Sequence, residues 1–385
     1  MSRINSVLMV SQTFYPERGG AEKQAFELSK ALVKKGLKVS VVTRRTKELP
    51  ARETLDGVKI ERFAITGSGA VDSLTFMIKV FFYMLAHRAD YDLAHVHLAS
   101  SPAVAALLAG RLTGKKTVVK LGRGRGLDEI SLSQRTFLGR LKLKFFSLAG
   151  PRLLVLNAEA YDWLKNSAEF PGLRPCLFRN GVDTGRYTPA LYHEKISAKA
   201  AVGLDNDIVF LSVGRLVPEK RTREFIELWA EVMAEELTKP KIRLVVVGEG
   251  PEEKKLKNAV EQLGVGASVL LAGPKDDLLP YYRAADVFVL PSLTEGMSNS
   301  MLEAMSCGLA IMASRVDGAK EAVIEGESGF LFDPRNRGEI KACLRRFMAE
   351  RSLAGKLGEQ ARKTAVEKYS MARVADDILA IYEAE

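Results

Sequence analysis

Two carboxylates in the last third of the chain flank the start of a predicted helix. They are Glu295 and Glu303, eight positions apart in the stretch Thr294-Glu-Gly-Met-Ser-Asn-Ser-Met-Leu-Glu-Ala-Met-Ser-Cys-Gly308. The apolar run that precedes this stretch, over residues 286–291, is typical of a short buried strand. Ser298 is a suitable N-cap and the final glycine a suitable C-cap, so the pattern predicts a strand, a turn and a helix.

The first turn of such a helix binds anions, because its backbone N–H groups have no acceptor within the helix. A phosphate held there would have a carboxylate on either side to accept hydrogen bonds from hydroxyl groups. This combination suits a nucleotide sugar.

The elements that must position these groups repeat along the second half of the chain. A strand at Ile208–Val213 leads into Gly214-Arg-Leu-Val-Pro-Glu-Lys220, and a strand at 243–247 leads into Gly248-Glu-Gly-Pro251. The apolar periodicity predicts further elements, which are helices at 222–236, 252–263 and 277–284 and strands at 268–271 and 286–290.

The first half has the same alternation. A strand at Ile4–Val10 is followed by a loop that ends in Gly19-Gly20, a helix at 21–33 and a strand at 38–43. The glycine pair allows close approach of a ligand, although a plain turn explains it equally well. Further strands are expected at 58–63, 92–97, 116–121, 153–156 and 176–178, and a packing helix at 74–86.

These patterns predict an α/β protein with two doubly wound, Rossmann-like domains. We expect an N-terminal, acceptor-side domain at 1–188 and a C-terminal, donor-binding domain at 189–368. The helix predicted at 369–385 would pack back on the N-terminal domain. The carboxyl ends of both sheets would then face one cleft, which is where α/β sheets bind ligands.

The strand at 116–121 feeds a glycine-rich basic loop, Gly122-Arg-Gly-Arg-Gly126. Lys120, Arg123 and Arg125 are therefore candidates for contact with an acceptor or a phosphate. The alternative is a flexible basic loop without a ligand.

Charge is distributed unevenly over the 385 residues. The formal net charge is +10, and residues 1–190 contain 30 Lys and Arg against 16 Asp and Glu, which leaves the remainder net negative. A basic half implies an acidic partner. The chain has no zinc-finger spacing and no RNA-binding strand motif, so we expect no nucleic acid but rather an anionic membrane face or a phosphorylated lipid acceptor.

The stretch Arg135–Leu148 combines basic and apolar residues at helical spacing. It is equally consistent with a helix lying on an anionic membrane and with a domain helix that has a solvated basic face. The start of the chain has no signal-peptide pattern and no apolar run is long enough to cross a bilayer, so we expect a cytoplasmic protein, peripheral at most to the inner face of the membrane.

No metal site is expected. The three cysteines are far apart, and Asp90-Tyr-Asp92 precedes a strand rather than ending one, so we interpret it as structural. His95 and His97 alternate along the next strand, and one of them is expected to point towards the cleft, but neither has a third ligand.

Five motifs agree in order and position with one known family. They are Gly19-Gly-Ala-Glu22, Asn180-Gly-Val-Asp183, Gly214-Arg-Leu with Pro218-Glu-Lys220, Gly248-Glu-Gly-Pro251 and the paired-glutamate stretch that begins at Thr294. Together they resemble the retaining glycosyltransferases of family 4, which have the GT-B fold. The resemblance extends over nearly the full length of the chain.

The resemblance implies a role for each matching residue. Arg215 and Lys220 would hold the donor diphosphate and stabilise the leaving group, together with the backbone N–H groups of residues 297–300, which are Met297, Ser298, Asn299 and Ser300. Glu295 would bind donor-sugar hydroxyls and Glu303 the ribose. The further donor-binding positions are Gly19, Gly20, Gly214 and Gly248. Such enzymes generally need neither a metal nor a cofactor.

The chain departs from the family at two positions. Relatives carry a histidine in the loop after the strand 116–121, whereas this chain has no histidine between His97 and His193. Arg221 stands where a glycine commonly follows the lysine.

Two other functions remain open. One is a GT-B epimerase acting on nucleotide sugars, and the other is a non-catalytic protein that docks on an anionic membrane. The paired-glutamate and Gly-Arg-Leu motifs favour the transferase, which would act in cell-surface polysaccharide or glycolipid synthesis.

Overall fold

The chain folds into two compact units. The computed structural model describes residues 4–17, 19–46, 48–66, 69–122, 129–167, 169–204, 207–235 and 242–384. The first unit comprises Met1–Gly181 and Met371–Glu385, and the second comprises Val182–Ser370. The chain therefore leaves the first unit at 181, not at the expected 188, and returns to it at 371.

The first unit has one eight-stranded sheet. Its strands are β1 (Ser6–Val10), β2 (Lys38–Arg44), β3 (Arg52–Leu55), β4 (Val58–Phe63), β5 (Leu93–His97), β6 (Lys116–Lys120), β7 (Arg152–Val155) and β8 (Arg174–Leu177). Their order is β3-β4-β2-β1-β5-β6-β7-β8, and only the β3–β4 pair is antiparallel. The order reverses direction between β1 and β5, as in a doubly wound fold.

Helices cover both faces of this sheet. They are α1 (Gly20–Lys34), α2 (Gly69–Ala86), α3 (Ser101–Thr113), α4 (Glu129–Gln134), α5 (Phe137–Ala149), α6 (Ala158–Lys165) and the last helix, α15 (Met371–Glu383). Val7 and Met9 of β1 pack with α1 and α15, while Leu8 and Val10 pack with α2 to α6. Both faces of the strand are buried, which explains its unbroken apolar run.

The second unit has a six-stranded sheet that is parallel throughout. Its strands are β9 (Ile208–Val213), β10 (Ile242–Val247), β11 (Val269–Gly273), β12 (Val287–Leu290), β13 (Ala310–Ser314) and β14 (Gly329–Phe332), in the order β11-β10-β9-β12-β13-β14. The helices are α7 (Tyr192–Ala201), α8 (Thr222–Glu235), α9 (Glu253–Gln262), α10 (Leu279–Ala284), α11 (Asn299–Ser306), α12 (Asp317–Ala322), α13 (Arg337–Ala349) and α14 (Arg351–Tyr369).

The expected fold class is confirmed, since each unit is a doubly wound, Rossmann-like α/β unit. The strands at 58–63 and 208–213 have the expected bounds. The helix expected at 369–385 is present as α15, two residues shorter at each end, and it belongs to the first unit; Ser370, which is extended (φ −58°, ψ 140°), separates it from α14. Ser370 forms a bridge with Val182, beside the point where the chain enters the second unit.

The segment that leaves the first unit is held at the carboxyl edge of its sheet. The side-chain amide of Gln24 donates to the Gly181 carbonyl oxygen at 2.6 Å and accepts from the Gly181 N–H at 3.0 Å. Lys120, at the end of β6, is buried and donates to Asn180 Oδ1 at 2.9 Å. These contacts explain why the unit ends at Gly181.

Asp92 is structural, as expected. Its Oδ2 accepts hydrogen bonds of 2.9 Å from the backbone N–H groups of Asn5 and Ser6 and from the Ser6 hydroxyl. The carboxylate therefore fixes the start of β1 beside β5. Among the helices that the structure describes, none has both the length and the apolarity needed to cross a membrane.

His95 and His97 are both buried in the first unit, and their rings stack with centroids 4.4 Å apart. His95 Nδ1 lies 2.5 Å from the Tyr382 hydroxyl of α15. Burial, followed by the charge of Lys120, lowers the pKa of His95 to about 3. Burial likewise lowers the pKa of His97 well below its ordinary value. Both rings are therefore neutral in the folded protein at neutral pH.

We expect the first unit to lose stability in mild acid. The pKa of His95 is lower in the folded protein than in the unfolded protein, where it is about 6.5. Above pH 6.5 the imidazole is neutral in both states. Below it the unfolded state binds a proton that the folded state does not, so folding stability is lost as the pH falls. At pH 5 the loss from this one residue is about 2 kcal/mol. Hydrogen exchange of peptides from β5 and β6 at pH 7 and pH 5 measures it.

The His95→Gln variant is the control, because its side-chain amide keeps a hydrogen-bonding partner for Tyr382 but does not titrate. The pH dependence of protection should be weaker in this variant by about 2 kcal/mol. An equal pH dependence in the two proteins would show that His95 does not carry the effect.

Candidate functional site

The predicted site residues of the second unit meet where its strand order reverses. Strands β9 and β12 are neighbours in the sheet, but the chain leaves them towards opposite sides. The loop after β9 contains Gly214, Arg215 and Lys220, and the loop after β12 contains Glu295. Ligands bind to open α/β sheets at such a switch point, outside the carboxyl ends of the strands.

Glycines bring the loops after β9 and β10 into backbone contact. Gly248 has φ 146° and Gly250 has φ 158°. A Cβ at Gly248 would overlap the Gly214 carbonyl oxygen, and one at Gly250 would overlap that of Leu216. The Leu216 N–H donates to Glu249 O at 2.8 Å, so the two loops are held together as one rigid segment.

Lys220 and Glu295 form an ion pair between the loops after β9 and β12. Both side chains are about one-fifth exposed, and the Leu293 N–H joins the same loops by donating to Glu219 O at 2.8 Å. Arg215 is exposed, and within the described part of the chain its guanidinium has no hydrogen bond or ion pair. A cation that is not neutralised therefore lies on the same loop as Lys220.

The backbone at Arg221 shows why a glycine is favoured at this position. It has φ 53° at the end of a short 3-10 turn (Pro218–Lys220), a left-handed conformation that favours glycine. An arginine in this conformation makes the turn less stable than a glycine would, by about 1 kcal/mol, and does not change the position of Lys220.

The predicted helix starts as expected. Ser298 is the N-cap of α11, and its hydroxyl accepts from the Met301 N–H at 3.3 Å and lies 3.1 Å from the Ser300 hydroxyl. The expected C-cap, Gly308, is wrong by one position. Cys307 is the C-cap, and Gly308 follows it with φ 75°.

The far end of α11 is also fixed. The guanidinium of Arg362, on α14, donates to the carbonyl oxygen of Ser306 at 2.7 Å and to that of Tyr187 at 2.8 Å. The Ser306 hydroxyl donates to the same Tyr187 oxygen at 2.6 Å. These bonds satisfy a terminal carbonyl of the helix and hold its direction.

Glu303 has a partner that the sequence did not reveal. The Tyr282 hydroxyl, on α10, donates to Glu303 Oε2 at 2.9 Å, and both residues are buried. Burial, followed by the charge of Glu303, raises the pKa of Tyr282 well above its ordinary value, so this hydroxyl stays a donor. The spacing of 21 residues carries no local signal, and only the adjacency of α10 and α11 across β12 could have suggested it.

A pocket lies at the carboxyl ends of β9, β10 and β12. Its lining includes Arg215 and Lys220, and also Ser292, whose buried hydroxyl has no partner among the described residues. The remaining lining residues are Ser212, Val213, Gly214, Leu216, Thr222, Val246, Val247, Leu290 and Pro291. The pocket thus combines two cations with a hydroxyl group.

Those predicted residues of the first unit that the structure describes do not form a comparable group. Gly19 is the N-cap of α1 in extended backbone, and Gly20 begins that helix. Lys120 is buried against Asn180 and lies 5.3 Å from the centre of the Phe178 ring, so it does not project into solvent. Arg123 and Arg125 lie outside the described residues.

Comparison with known families matches both units. The sequence pattern of "Glycosyltransferase Family 4" matches residues 18–186, and that of "Glycosyl transferases group 1" matches residues 194–364. Between them they cover both predicted site regions.

Individual relatives and a solved structure also match most of the chain. The UDP-Gal:alpha-D-GlcNAc-diphosphoundecaprenol alpha-1,3-galactosyltransferase of Escherichia coli is 28% identical over 301 residues, covering 78% of this chain and 77% of the relative. The N-acetyl-alpha-D-glucosaminyl L-malate synthase of Bacillus anthracis is 23% identical, covering 97% and 96%. The structure of Anabaena Alr3699/HepE with UDP and glucose superposes with a TM-score of 0.79 at 19% identity, covering both chains fully. The shared fold is GT-B.

We expect Gly248→Ala to destabilise the second unit by about 2–4 kcal/mol, because the new methyl group overlaps the Gly214 carbonyl oxygen in a conformation that alanine rarely adopts. Chemical denaturation measures the loss by the fluorescence of Trp229, in a Trp163→Phe background that removes the signal of the first unit. Gly355→Ala is the matched control, since that glycine is helical with open space around its Cβ position. Equal stability of the two variants would contradict the close loop contact.

Proposed function

Because this chain belongs to glycosyltransferase family 4, we propose that it transfers a hexose-type sugar from a UDP- or GDP-linked donor to a saccharide or lipid-linked acceptor. The reaction would serve cell-surface polysaccharide or glycolipid synthesis. The observation that carries the proposal is the grouping of Arg215, Lys220, Glu295 and the start of α11 at one switch point.

The donor diphosphate is assigned to the space between the loop after β9 and the N-terminus of α11. Arg215 and Lys220 would approach it from one side, and the backbone N–H groups of residues 297–300 from the other. As the bond to the sugar breaks, negative charge builds on the diphosphate, and these fixed donors stabilise it. This is the catalytic contribution of the second unit.

Diphosphate binding would exchange the partner of Lys220. The lysine now pairs with Glu295. A diphosphate carries more negative charge than a carboxylate, so it competes for Nζ and releases Glu295 to accept hydrogen bonds from hydroxyls of the donor sugar. Loading of the donor and positioning of its sugar are thereby coupled.

Glu303 is assigned to the ribose. Tyr282 donates to Oε2 and so orients the carboxylate that would accept from the ribose hydroxyls. Gly248, at the end of β10, allows the nucleotide to approach the backbone closely. Gly19 and Gly20 are assigned to the donor from the first unit, on the family resemblance alone.

We propose further that the reaction needs no metal ion and retains the anomeric configuration. Two cations and a helix N-terminus supply the positive charge that a divalent ion would otherwise bring to the leaving diphosphate. The resemblance to retaining glycosyltransferases supports the proposal of retention. The leaving phosphate would help to deprotonate the acceptor on the same face of the sugar.

The acceptor is proposed to be lipid-linked. The E. coli relative is named for a diphosphoundecaprenol-linked acceptor, and the basic first half of this chain suits a phosphorylated lipid. Lys120, Arg123 and Arg125 remain candidates for contact with it, and the protein would work in the cytoplasm, peripheral to the inner membrane face.

Lys220→Ala should abolish donor-dependent release of nucleoside diphosphate, lowering kcat/KM by about a hundredfold or more, because the leaving group loses a fixed cation. The measurement is a screen of UDP- and GDP-sugars by thermal shift, followed by an assay of product release. Lys254→Ala, which removes an exposed lysine from α9 of the same unit, is the control and should retain full activity. Full activity of Lys220→Ala would refute the site assignment.

The same assay with a chelator tests metal independence, and the expected result is an unchanged rate. Product analysis without an acceptor separates the transferase from an epimerase, which would release an isomerised nucleotide sugar. Vesicle binding without any sugar transfer would favour the non-catalytic alternative.

Tyr282→Phe should weaken recognition of the ribose without unfolding the protein. Wild type should bind UDP more tightly than 2′-deoxy-UDP or 3′-deoxy-UDP. In the variant the ratio of these affinities should be about tenfold smaller, because Glu303 is no longer oriented. Calorimetric titration measures the three affinities. A lower melting temperature with unchanged discrimination would show that Tyr282 acts only in packing.

A further inference from the structure

Exposed apolar side chains are concentrated on four consecutive helices of the first unit. Among the residues that the structure describes, twenty large apolar side chains are exposed, and eleven of them lie on α2, α3, α4 and α5. These residues are Val71, Leu74, Ile78, Phe82, Leu108, Leu112, Leu132, Phe137, Leu138, Leu141 and Leu148. Single exposed apolar residues are ordinary, but such a concentration indicates an interaction surface.

Helix α5 is apolar on two sides. Leu143 and Phe146 are buried in the core of the unit, as in any packing helix. Phe137 and Leu138 are nevertheless 78% and 76% exposed, and Leu148 is 75% exposed. A helix at a water-facing surface normally has polar residues on its outer side, so the outer side of α5 is suited to a less polar environment.

Helices α2 and α3 extend this surface. The four exposed residues of α2 recur at intervals of three and four positions, which places them on one side of the helix. The buried residues of α2, α3, α4 and α5 all pack in one core against one face of the sheet. Their exposed side chains therefore lie on the side of the layer that is turned away from the sheet.

Positive charge surrounds these side chains. Residues 69–149, which span α2 to α5, contain twelve Lys and Arg against five Asp and Glu. Arg140 and Lys144 are exposed on α5, which has no acidic residue.

Three other cationic side chains on these helices donate hydrogen bonds to backbone carbonyl oxygens. Lys142 donates to the Ala99 carbonyl oxygen and Arg111 to that of Leu148. Lys79, on α2, likewise donates to the Ala64 carbonyl oxygen. A carbonyl does not cancel the charge of its donor, so the layer keeps a positive potential.

We propose that the outer side of α2 to α5, hereafter the apolar-basic surface, docks on an anionic lipid bilayer. Apolar side chains would enter the boundary between headgroups and acyl chains, while Arg140 and Lys144 would contact anionic headgroups. A second copy of this chain is a poor occupant, because pairing the surface with itself brings like charges together. The inference rests on the proposed function in one respect, since a lipid-linked acceptor gives the protein a reason to bind a membrane. The two proposals are tested by separate measurements.

The test is flotation of the full-length protein with vesicles of phosphatidylcholine alone or with about 30% phosphatidylglycerol, at low and high salt. Wild type should float with the anionic vesicles only, and less so at high salt. Phe137→Ser with Leu138→Ser, and separately Arg140→Gln with Lys144→Gln, should each weaken binding by about tenfold or more.

Leu191→Ser with Tyr192→Ser is the matched control, since both residues are exposed to a similar degree on the second unit. This variant should bind vesicles like wild type. The inference is overturned if the surface variants bind as well as wild type, if wild type ignores anionic vesicles, or if the apolar substitutions instead dissociate a dimer or release an acidic protein partner.

Binding of UDP is measured on the same preparations. Loss of vesicle binding with intact UDP binding separates the two proposals, because the apolar-basic surface contains no residue assigned to the donor. Vesicle binding by a wild-type protein that binds no nucleotide would leave this inference standing and reject the proposed function.

Discussion

The ion pair between Lys220 and Glu295 connects the two loops on which the candidate site depends. One loop follows β9 and the other follows β12, and the sheet topology sends them apart at the switch point. The pair and the backbone bond from Leu293 to Glu219 hold them together over the strand ends. The loop after β12 leads directly into α11, so the Lys220–Glu295 pair lies a few residues before the N-terminus of that helix. A cation, a carboxylate and a helix N-terminus are each common, whereas their combination favours a diphosphate attached to a sugar.

Other contacts of the second unit hold these loops and α11 in position. Gly248 lets the loop after β10 support the loop after β9 from below, and Arg362 fixes the far end of α11. Tyr282 orients Glu303 from a third helix. The first unit differs in character, because its charge is strongly positive and its outer helices expose apolar residues. The proposed donor site in the second unit and the proposed lipid-docking surface of the first are both consistent with transfer to a lipid-linked saccharide.

Local patterns predicted much of this arrangement. The strand at 208–213 and the cap at Ser298 follow from periodicity and capping preferences, which act over a few residues. The Tyr282–Glu303 bond and the burial of His95 depend on tertiary packing, which leaves no such pattern. The sequence predicts the start of the last helix two residues too early, because the residues on both sides of Ser370 favour a helix and the bridge of Ser370 to Val182 is not a local pattern. Lys120 is predicted to contact a ligand because its strand feeds a basic loop, but its hydrogen bond to Asn180, sixty positions away, leaves no local pattern.

The central claim is that one nucleoside diphosphate site lies at the switch point of the second unit. A crystal structure of the protein with UDP tests it most directly. We expect the β-phosphate to lie within hydrogen-bonding distance of Lys220 Nζ and of the N–H groups at the start of α11, with Glu295 released from Lys220. A diphosphate bound elsewhere, or one bound while the Lys220–Glu295 pair stays intact, would contradict it.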